Sequence, residues 1–205
     1  MIYTVTLNPS IDFLVRLPEF KVGEVNRMTS DDKFPGGKGI NVSRILSRID
    51  SSSTAFGFLG GFTGEFIKTK LEAEQIVTDF VSITSDTRIN VKIKSDIESE
   101  INGAGPEITD AERAAFIDKL SVLKPSDIVV LAGSAPASLG QNFYLDVIEK
   151  IKSQGAEFVI DIEGDVLVKS LANKPLVVKP NNHELGAIYG VTFDSVEELI
   201  TYGHK

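Results

Sequence analysis

Short apolar runs alternate along the chain with segments whose apolar residues recur at helical spacing. The runs predict buried strands, and they lie at 2–8, 54–60, 127–132, 156–162 and 175–179. The helical patterns lie at 40–49, 64–75, 141–153 and 182–189, with two more beginning at Thr109 and Ser195. Strands and helices that alternate in this way indicate an α/β fold whose mostly parallel sheet is covered on both faces.

The helix predictions depend on spacing and on capping signals. One face of helix 40–49 carries Val42, Ile45, Leu46 and Ile49, and helix 64–75 is predicted to bury Phe66, Ile67 and Leu71. Thr109-x-x-Glu112 is a capping box that opens a helix carrying Phe116, Ile117 and Leu120. Ser195-x-x-Glu198 begins the last helix in the same manner.

Two segments, residues 11–35 and 84–105, interrupt this alternation of strands and helices. Both contain alternating apolar and polar residues with turn residues between them, which predicts antiparallel strands of a small second sheet beside the main one. The alternative is a plain hairpin on the edge of the main sheet. We therefore predict a core built from 1–10, 36–83 and 106–205, with the two segments forming a β lid.

Composition narrows the function classes. With 29 acidic and 21 basic side chains the formal charge is −8, which argues against nucleic acid and anionic membrane surfaces as partners. The absence of cysteine excludes a disulfide framework and a thiolate site. No signal-peptide pattern follows Met1 and no apolar stretch reaches the length of a membrane span, so a cytoplasmic location is expected.

The densest candidate for chemistry is the loop from Phe34 to Asn41, Phe-Pro-Gly-Gly-Lys-Gly-Ile-Asn. It lacks the residue pattern of a Walker A loop, and it also fails Gly-x-Gly-x-x-Gly. Gly36 and Gly37 let the backbone approach a ligand, Lys38 supplies a positive charge, and Asn41 offers a donor and an acceptor suited to a sugar hydroxyl. A glycine-rich entry to a helix with an exposed lysine would give the same pattern.

A second candidate, Asn8-Pro-Ser-Ile-Asp12, follows the first predicted strand. Ligands of parallel sheets bind at the carboxyl ends of strands, and the Asp12 carboxylate can accept hydrogen bonds from two adjacent hydroxyls. A turn capped by Asn8 explains part of this motif equally well.

Together these loops resemble the PfkB carbohydrate kinases of the ribokinase-like fold. Four further motifs agree in order along the chain, namely Gly60-Gly61-x-x-Gly64, Thr87-Arg88, Gly133-Ser134-x-Pro136 and Lys179-Pro-Asn-x-x-Glu184. The resemblance implies a three-layer αβα sandwich with a mostly parallel sheet and a small β-sheet lid. Within the family, residues 87–92 and 100–106 look most like those of the 1-phosphofructokinases.

The resemblance also implies roles for individual residues. Sugar contacts would come from Asp12, Gly36, Gly37 and Asn41, and the phosphate already on the substrate would be held by Lys38, Arg88 and Ser134. The nucleotide phosphates of ATP would meet Lys179, Asn181 and Glu184, and Mg²⁺ would be held through water by Glu184 and Asp161. Alternatively, Arg88 is a solvated charge on a lid strand, and Asp161 is an ordinary polar end of its strand.

The activity expected from this resemblance is ATP-dependent phosphorylation of fructose 1-phosphate, a phosphorylated ketohexose, at its 6-hydroxyl to give fructose 1,6-bisphosphate. Kinases of tagatose 6-phosphate or fructose 6-phosphate are alternatives on the same scaffold. Ribokinases and nucleoside kinases fit less well, because they act on unphosphorylated sugars. A structural interaction module would leave the six motifs unexplained.

One expected motif is missing. The family carries its catalytic aspartate and an anion hole in a Gly-x-Gly-Asp motif near the C-terminus, whereas here Gly103-Ala-Gly105 is followed by Pro106. We therefore expect a C-terminally truncated kinase with no catalytic base of its own and an exposed apolar surface, and a non-catalytic sugar-phosphate binder is the alternative of another class. A homodimer through the β lid is also expected from the resemblance.

Overall fold

The computed structural model describes residues 1–140 and 142–204. In this part of the chain seven parallel strands form the main sheet. They are β1 (Ile2–Thr6), β4 (Ser53–Gly60), β5 (Val77–Thr78), β6 (Val81–Ile83), β9 (Ile128–Ala132), β10 (Glu157–Asp161) and β11 (Val177–Val178). Their order in the sheet is β11-β10-β9-β1-β4-β5, and β6 also pairs with β4. The predicted parallel sheet is therefore confirmed.

Helices cover both faces of this sheet. They are α1 (Lys38–Arg48), α2 (Gly61–Ala73), α3 (Asp110–Lys119), α4 (Phe143–Ser153), α5 (Asp165–Ser170), α6 (Asn182–Tyr189) and α7 (Val196–Gly203). The packing of α1 and α2 on one face and of α3 and α4 on the other gives the predicted three-layer αβα arrangement.

The larger core lies between the sheet and helices α3 and α4. Phe58 of β4, Phe116 of α3 and Phe143 of α4 are buried there, with ring centroids 5.0 to 6.5 Å apart. Burial of three aromatic rings at these separations fixes both helices against the strands. The carboxyl ends of β1, β9 and β10 are thereby held at one edge, where the predicted ligand loops begin.

The opposite face of the sheet is covered differently. Helix α1 approaches β1 closely because small polar residues meet there, and the Ser43 hydroxyl lies 2.7 Å from that of Thr4 and 3.0 Å from that of Ser53. The apolar face predicted for this helix points elsewhere, since Ile45 is 55% exposed and Ile49 is 66% exposed. The spacing identified the helix correctly but not the face that it buries.

Beside α1 the same face of the sheet is only partly covered. Val130 of β9 pairs in register with Thr4 on one side and with Val159 of β10 on the other, so all three side chains point to the α1 face. Val130 and Val159 are half-buried, whereas Val129 and Leu131, which point to the α3 and α4 side, are fully buried. The described residues therefore leave this apolar part of the sheet partly open, and the exposed apolar surface expected from the sequence stays a prediction.

A separate four-stranded sheet is formed by β2 (Ser10–Arg16), β3 (Ser30–Gly36), β7 (Arg88–Lys94) and β8 (Ser99–Asn102), in the order β3-β2-β7-β8. Its outer pairs are antiparallel, as predicted, but its central strands β2 and β7 run parallel. The prediction of a purely antiparallel sheet was wrong, because β2 and β7 belong to different hairpins separated by α1, β4 and α2. The edge-hairpin alternative is excluded.

Other element bounds differ in detail. The helix predicted at 141–153 is observed from Phe143, and Gln141 lies outside the described residues. The strand predicted at 175–179 is observed only at Val177–Val178, and helix α5 was not predicted. No helix of the described residues is both long enough and apolar enough to cross a membrane.

Candidate active site

The glycine-rich loop joins the second sheet to helix α1. Gly37 is the N-cap of α1 at φ +121°, a backbone conformation that glycine adopts without strain. A Cβ on Gly36 would lie 2.4 Å from the Asp12 carboxylate and 2.6 Å from the Ser10 hydroxyl. Gly36 therefore allows the backbone to pack directly against the Asp12 carboxylate, and a Cβ on Gly37 would lie 2.5 Å from Thr6. Their approach to a ligand stays a prediction.

Asp12 is held by polar side chains from two adjacent strands. Its Oδ1 accepts hydrogen bonds from the Ser10 hydroxyl at 2.9 Å and from the Asn90 amide at 3.2 Å, and its Oδ2 lies 3.4 Å from the Lys92 ammonium. All four side chains lie on one face of the second sheet, because β2 and β7 pair in register there. This arrangement fixes a carboxylate in position to accept hydrogen bonds from a ligand.

Arg88 begins β7 and reaches back to β1. Its Nη1 donates to the Gly103 carbonyl and its Nη2 to the Asn8 carbonyl, each at 3.1 Å. Burial lowers the pKa of the Arg88 guanidinium from its ordinary value, and the negative charge of Asp12 acts in the opposite direction. A half-buried guanidinium with N–H groups to spare is well suited to hold a phosphate. It is not a solvated charge, as the alternative from sequence had it.

The loop after β9 carries Ser134. The buried Tyr144 hydroxyl donates to the Gly133 carbonyl at 2.8 Å, which fixes this loop to helix α4, and burial raises the pKa of that hydroxyl. Ser134 is exposed, and its Oγ lies 3.5 Å from the Asn8 amide nitrogen. A cavity of about 480 Å³ opens beside it, between the ends of β9 and β10.

Four charged side chains meet at the end of β10. The Lys38 ammonium lies 3.3 Å from Asp161 Oδ1 and 3.9 Å from Glu184 Oε1, and the Lys179 ammonium lies 3.1 Å from the same Asp161 oxygen. Asp161 thus joins both lysines and is more than an ordinary strand end. Lys38 lies beside the residues predicted for the nucleotide, so its assignment to the sugar phosphate stays a prediction.

Asn181 and Glu184 form a capping box at the start of α6. The Asn181 side chain accepts from the Glu184 N–H at 2.8 Å, and Glu184 Oε2 accepts from the Asn181 N–H at 2.7 Å. One carboxylate oxygen therefore closes the helix while the other faces Lys38. The Asn-x-x-Glu motif thus has a structural role that the sequence prediction did not include.

The donor set can be tested against a magnesium ion. The described residues contain no group of three or more histidine, cysteine or acidic side chains that could hold a metal. Asp161 and Glu184 supply two carboxylates near one point, and Mg²⁺ bound with a nucleotide uses few carboxylates and several waters. These residues fit a magnesium ion held chiefly by phosphates and water, and they do not form a metal cage.

Three residues near Asp12 were missed from sequence. Asn90 and Lys92 follow Arg88 at alternate positions of one strand and so share its face, and Ser10 lies inside the Asn-Pro-Ser-Ile-Asp motif. That spacing could have identified them once the strand was predicted. Asn41, which was predicted to contact the sugar, lies in the first turns of α1 with its side chain exposed.

Comparison with known proteins places this geometry in a family. Residues 5–205 match the model of the pfkB family carbohydrate kinases. The chain is 52% identical over 205 residues to a 1-phosphofructokinase of Bacillus subtilis, covering 100% of this chain and 68% of that protein. It is 38% identical to a D-tagatose-1-phosphate kinase of Bacillus licheniformis, covering 100% and 67%.

The fold agrees with a solved structure as well. The phosphofructokinase-2 of Escherichia coli in complex with fructose-6-phosphate superimposes with a TM-score of 0.92 at 26% identity, covering 99% of this chain and 68% of that one. The chain thus spans about two thirds of the length of its relatives. Its fold, its ordered motifs and these similarities show that the chain belongs to the pfkB family of carbohydrate kinases.

Proposed function

We propose that this chain carries the substrate-binding part of a 1-phosphofructokinase, which transfers the γ-phosphoryl group of ATP to the 6-hydroxyl of fructose 1-phosphate. The observation that carries this proposal is that Arg88 and Asp12 lie on the same face of adjacent lid strands, where Arg88 pairs with Ser10 and Asp12 with Asn90. The negative charge of Asp12 acts on the Arg88 guanidinium, so a phosphate-binding cation and a hydroxyl-binding carboxylate lie close together. The relative at 52% identity, named 1-phosphofructokinase, supports fructose 1-phosphate as the sugar.

The sugar phosphate would lie between the second sheet and the ends of the core strands. Arg88 and Ser134 hold its phosphate, Asp12 accepts hydrogen bonds from ring hydroxyls, and Gly36 and Gly37 allow the backbone to approach. Asn41 would contact the sugar from the first turns of α1. Residues 11–35 and 84–105 act as a lid that closes over the sugar and excludes water, which favours transfer to the sugar over hydrolysis of ATP.

The nucleotide would lie on the other side of Lys38. Lys179 and Asn181 face the ATP phosphates, and Glu184 and Asp161 hold Mg²⁺ through water. The ion, when bound, neutralises charge on the phosphates. Lys38 lies between the two substrates, within reach of the group that passes from one to the other, and we keep it as a contact of the sugar phosphate. Positioning and charge neutralisation of this kind supply most of the catalysis in phosphoryl transfer.

Transfer also requires that the 6-hydroxyl lose its proton as the new P–O bond forms and the bond to ADP breaks. No Gly-x-Gly-Asp motif is present in the 205 residues to supply the base. We therefore expect the chain by itself to bind the sugar phosphate without turnover. This absence is also the observation that favours the second candidate, a non-catalytic sugar-phosphate binding protein.

Calorimetric titration of the chain with fructose 1-phosphate, fructose 6-phosphate and tagatose 6-phosphate tests the substrate. We expect the tightest binding for fructose 1-phosphate, and about a tenfold or greater loss in Arg88→Ala because a charge-assisted contact is removed. The control Arg16→Ala removes a lid arginine that pairs only with Asp32 among the described residues, and it should bind normally. A preference for either 6-phosphate would contradict the assignment.

The same preparations test the two functional classes. An aldolase-coupled assay with ATP and Mg²⁺ should show no fructose 1,6-bisphosphate above background for the chain alone, because the base is missing. Binding of a non-hydrolysable ATP analogue in the presence of Mg²⁺ separates the candidates, since a pure sugar-phosphate binder has no use for it. Failure to bind the analogue would favour the second candidate.

We also propose a homodimer through the lid and a cytoplasmic location. The loop between β2 and β3 supports the first, because Val22 is 89% exposed, Val25 79% and Met28 54%. Three apolar side chains together in one exposed loop favour contact with another protein surface.

A further inference from the structure

Asn8 lies between Arg88 and Ser134, two of the three side chains assigned to the phosphate, at the point where the chain leaves β1. Its backbone carbonyl accepts from Arg88 Nη2 at 3.1 Å, and its amide nitrogen lies 3.5 Å from Ser134 Oγ. The residue is 6% exposed. Neither sequence motif nor family resemblance assigned it a role beyond the turn that it begins.

The side-chain oxygen of Asn8 has no partner. Asn8 Oδ1 is buried and accepts no hydrogen bond from any described residue, and the buried Arg88 Nε–H donates none to them. A buried acceptor left unpaired opposes folding, so a ligand that supplied a donor here would be favoured over one that did not.

The segment around Gly105 closes over this oxygen. A Cβ on Gly105 would lie 2.8 Å from Asn8 Oδ1, and Gly103 in the same segment accepts a hydrogen bond from Arg88. A ligand would reach Oδ1 only if this segment moved away from it. Arg88, Asn8 and the segment 103–105 therefore pack against one another next to the phosphate position.

Ketohexose phosphates differ at the carbon next to the phosphorylated one, which would lie beside Asn8. In the furanose ring of a 1-phosphate, the carbon next to the phosphorylated carbon bears the anomeric 2-hydroxyl, which is a hydrogen-bond donor. In a 6-phosphate, the corresponding carbon, C5, bears hydrogen in place of this hydroxyl, and the ring oxygen that C2 and C5 share donates nothing. A site with a buried acceptor at this place rejects the ligand that cannot pair with it.

We propose that Asn8 is the residue that selects ketohexose 1-phosphates over 6-phosphates, by accepting a hydrogen bond from the anomeric 2-hydroxyl. This inference rests on the proposed function and sharpens its substrate class. The contact with Asn8 would distinguish a phosphate on C1 from one on C6. It would not distinguish fructose from tagatose, since these sugars differ at C4 and share the hydroxyl at C2.

The test uses a ligand that lacks only the hydroxyl in question. 2,5-Anhydro-D-mannitol 1-phosphate keeps the ring, the phosphate and the other hydroxyls of fructose 1-phosphate but carries hydrogen in place of the anomeric hydroxyl. Titration of the chain should show that fructose 1-phosphate binds about tenfold more tightly than this analogue. Asn8→Ala should bind the two ligands equally, while Asn102→Ala, a matched change at an exposed lid position, should keep the preference.

The outcomes separate this inference from the proposed function. Equal binding of the two ligands by the unaltered chain overturns the role of Asn8 even if Asn8→Ala fails to fold, because that comparison needs no variant. A preference that survives in Asn8→Ala overturns it as well. Equal loss of affinity for both ligands in Asn8→Ala, with their ratio unchanged, would make Asn8 a support for the phosphate position only. No measurable binding of fructose 1-phosphate by the unaltered chain removes the proposed function and the inference with it.

Discussion

At the scale of single residues, the site depends on an amide that the sequence prediction overlooked. Asn90 is 8% exposed and donates to Ser10 Oγ at 3.0 Å and to Asp12 Oδ1 at 3.2 Å, while its own oxygen accepts from the Gly103 N–H at 3.2 Å. Asn90 therefore connects the Asp12 carboxylate, which is assigned to the sugar hydroxyls, with Gly103, whose carbonyl accepts from Arg88. We regard Asn90 as a positioning residue, since it acts through Asp12 and Gly103.

Replacing Asn90 by alanine should lower the free energy of unfolding by about 1–3 kcal/mol, because the change removes three hydrogen bonds of a buried amide and leaves the Gly103 N–H without its acceptor. Urea unfolding monitored by circular dichroism measures this, with Asn102→Ala as the control. Asn90→Asp restores an acceptor for Gly103 but sets a second carboxylate beside Asp12, so it should recover little of the loss. Unchanged stability in Asn90→Ala would show that the hydrogen bonds do not hold the site.

At this scale the sequence predicted residues that lie in short local motifs, but it did not predict contacts between residues far apart along the chain. Asp12, Gly36 and Arg88 were recognisable because each lies in a short motif. The bond between Asn90 and Asp12 joins positions 78 residues apart, and it exists only because β2 pairs with β7. Local patterns carry no information on such a pairing, so the partners of Asp12 could be found only in the folded chain.

At the scale of elements, predictions based on capping succeeded and those based on burial were less reliable. Helix α6 has the predicted bounds, the capping box predicted at Thr109 is formed, and the Ser195 hydroxyl accepts from the Glu198 N–H at the start of α7 as predicted. For α1 the periodicity identified the helix, yet small residues and Ile40 pack on the sheet while Ile45 and Ile49 are exposed. A periodic apolar face shows that a helix is amphipathic, but its burial depends on what the remaining chain brings against it.

The capping box of α3 gives a pH-dependent prediction. The hydrogen bond from the Thr109 N–H lowers the pKa of the Glu112 carboxyl, helped by bonds from Thr84 and opposed by burial. Because the folded pKa is depressed, the contribution of Glu112 is present above the ordinary value of 4.5 and is lost as the pH falls through the lower folded value.

Glu112→Gln should therefore lower the free energy of unfolding at pH 7 by about 0.5–1 kcal/mol. The difference between the variant and the unaltered chain should disappear as the pH falls below the folded pKa. Glu107→Gln, the same change at an exposed position nearby, should have little effect at any pH. Urea titrations at several pH values give the comparison, and a difference that persists in acid would contradict the assignment.

At the scale of the whole molecule, the two faces of the main sheet differ in completeness. The α3 and α4 side has a fully buried aromatic core, whereas the α1 side leaves Val130 and Val159 half-buried and Ile45 and Ile49 exposed. Relatives whose length exceeds that of this chain by about half have more polypeptide with which to cover such a face. In this chain the face is available to solvent and to other molecules.

We expect this face to bind apolar dyes. The fluorescence of 8-anilinonaphthalene-1-sulfonate with the chain should fall by about half when Ile45 and Ile49 are both replaced by lysine, because the apolar patch is interrupted. Stability should change by less than about 0.5 kcal/mol per position, since both side chains are exposed. Val122→Lys, at an apolar residue that is 50% exposed after α3, serves as the control and should leave dye binding unchanged. Unaltered fluorescence in the double variant would place dye binding elsewhere.

The sharing of one carboxylate between helix and site affects how experiments on Glu184 are interpreted. A neutral replacement there removes a charge beside Lys38 and a cap from α6 at once, so lost nucleotide binding would not by itself identify a ligand of metal or nucleotide. Urea unfolding of the Glu184 variant and of Asn181→Ala measures the cap, because Asn181→Ala removes its side-chain half and keeps the carboxylate. Nucleotide binding by Asn181→Ala is not a control, since Asn181 is itself assigned to the ATP phosphates.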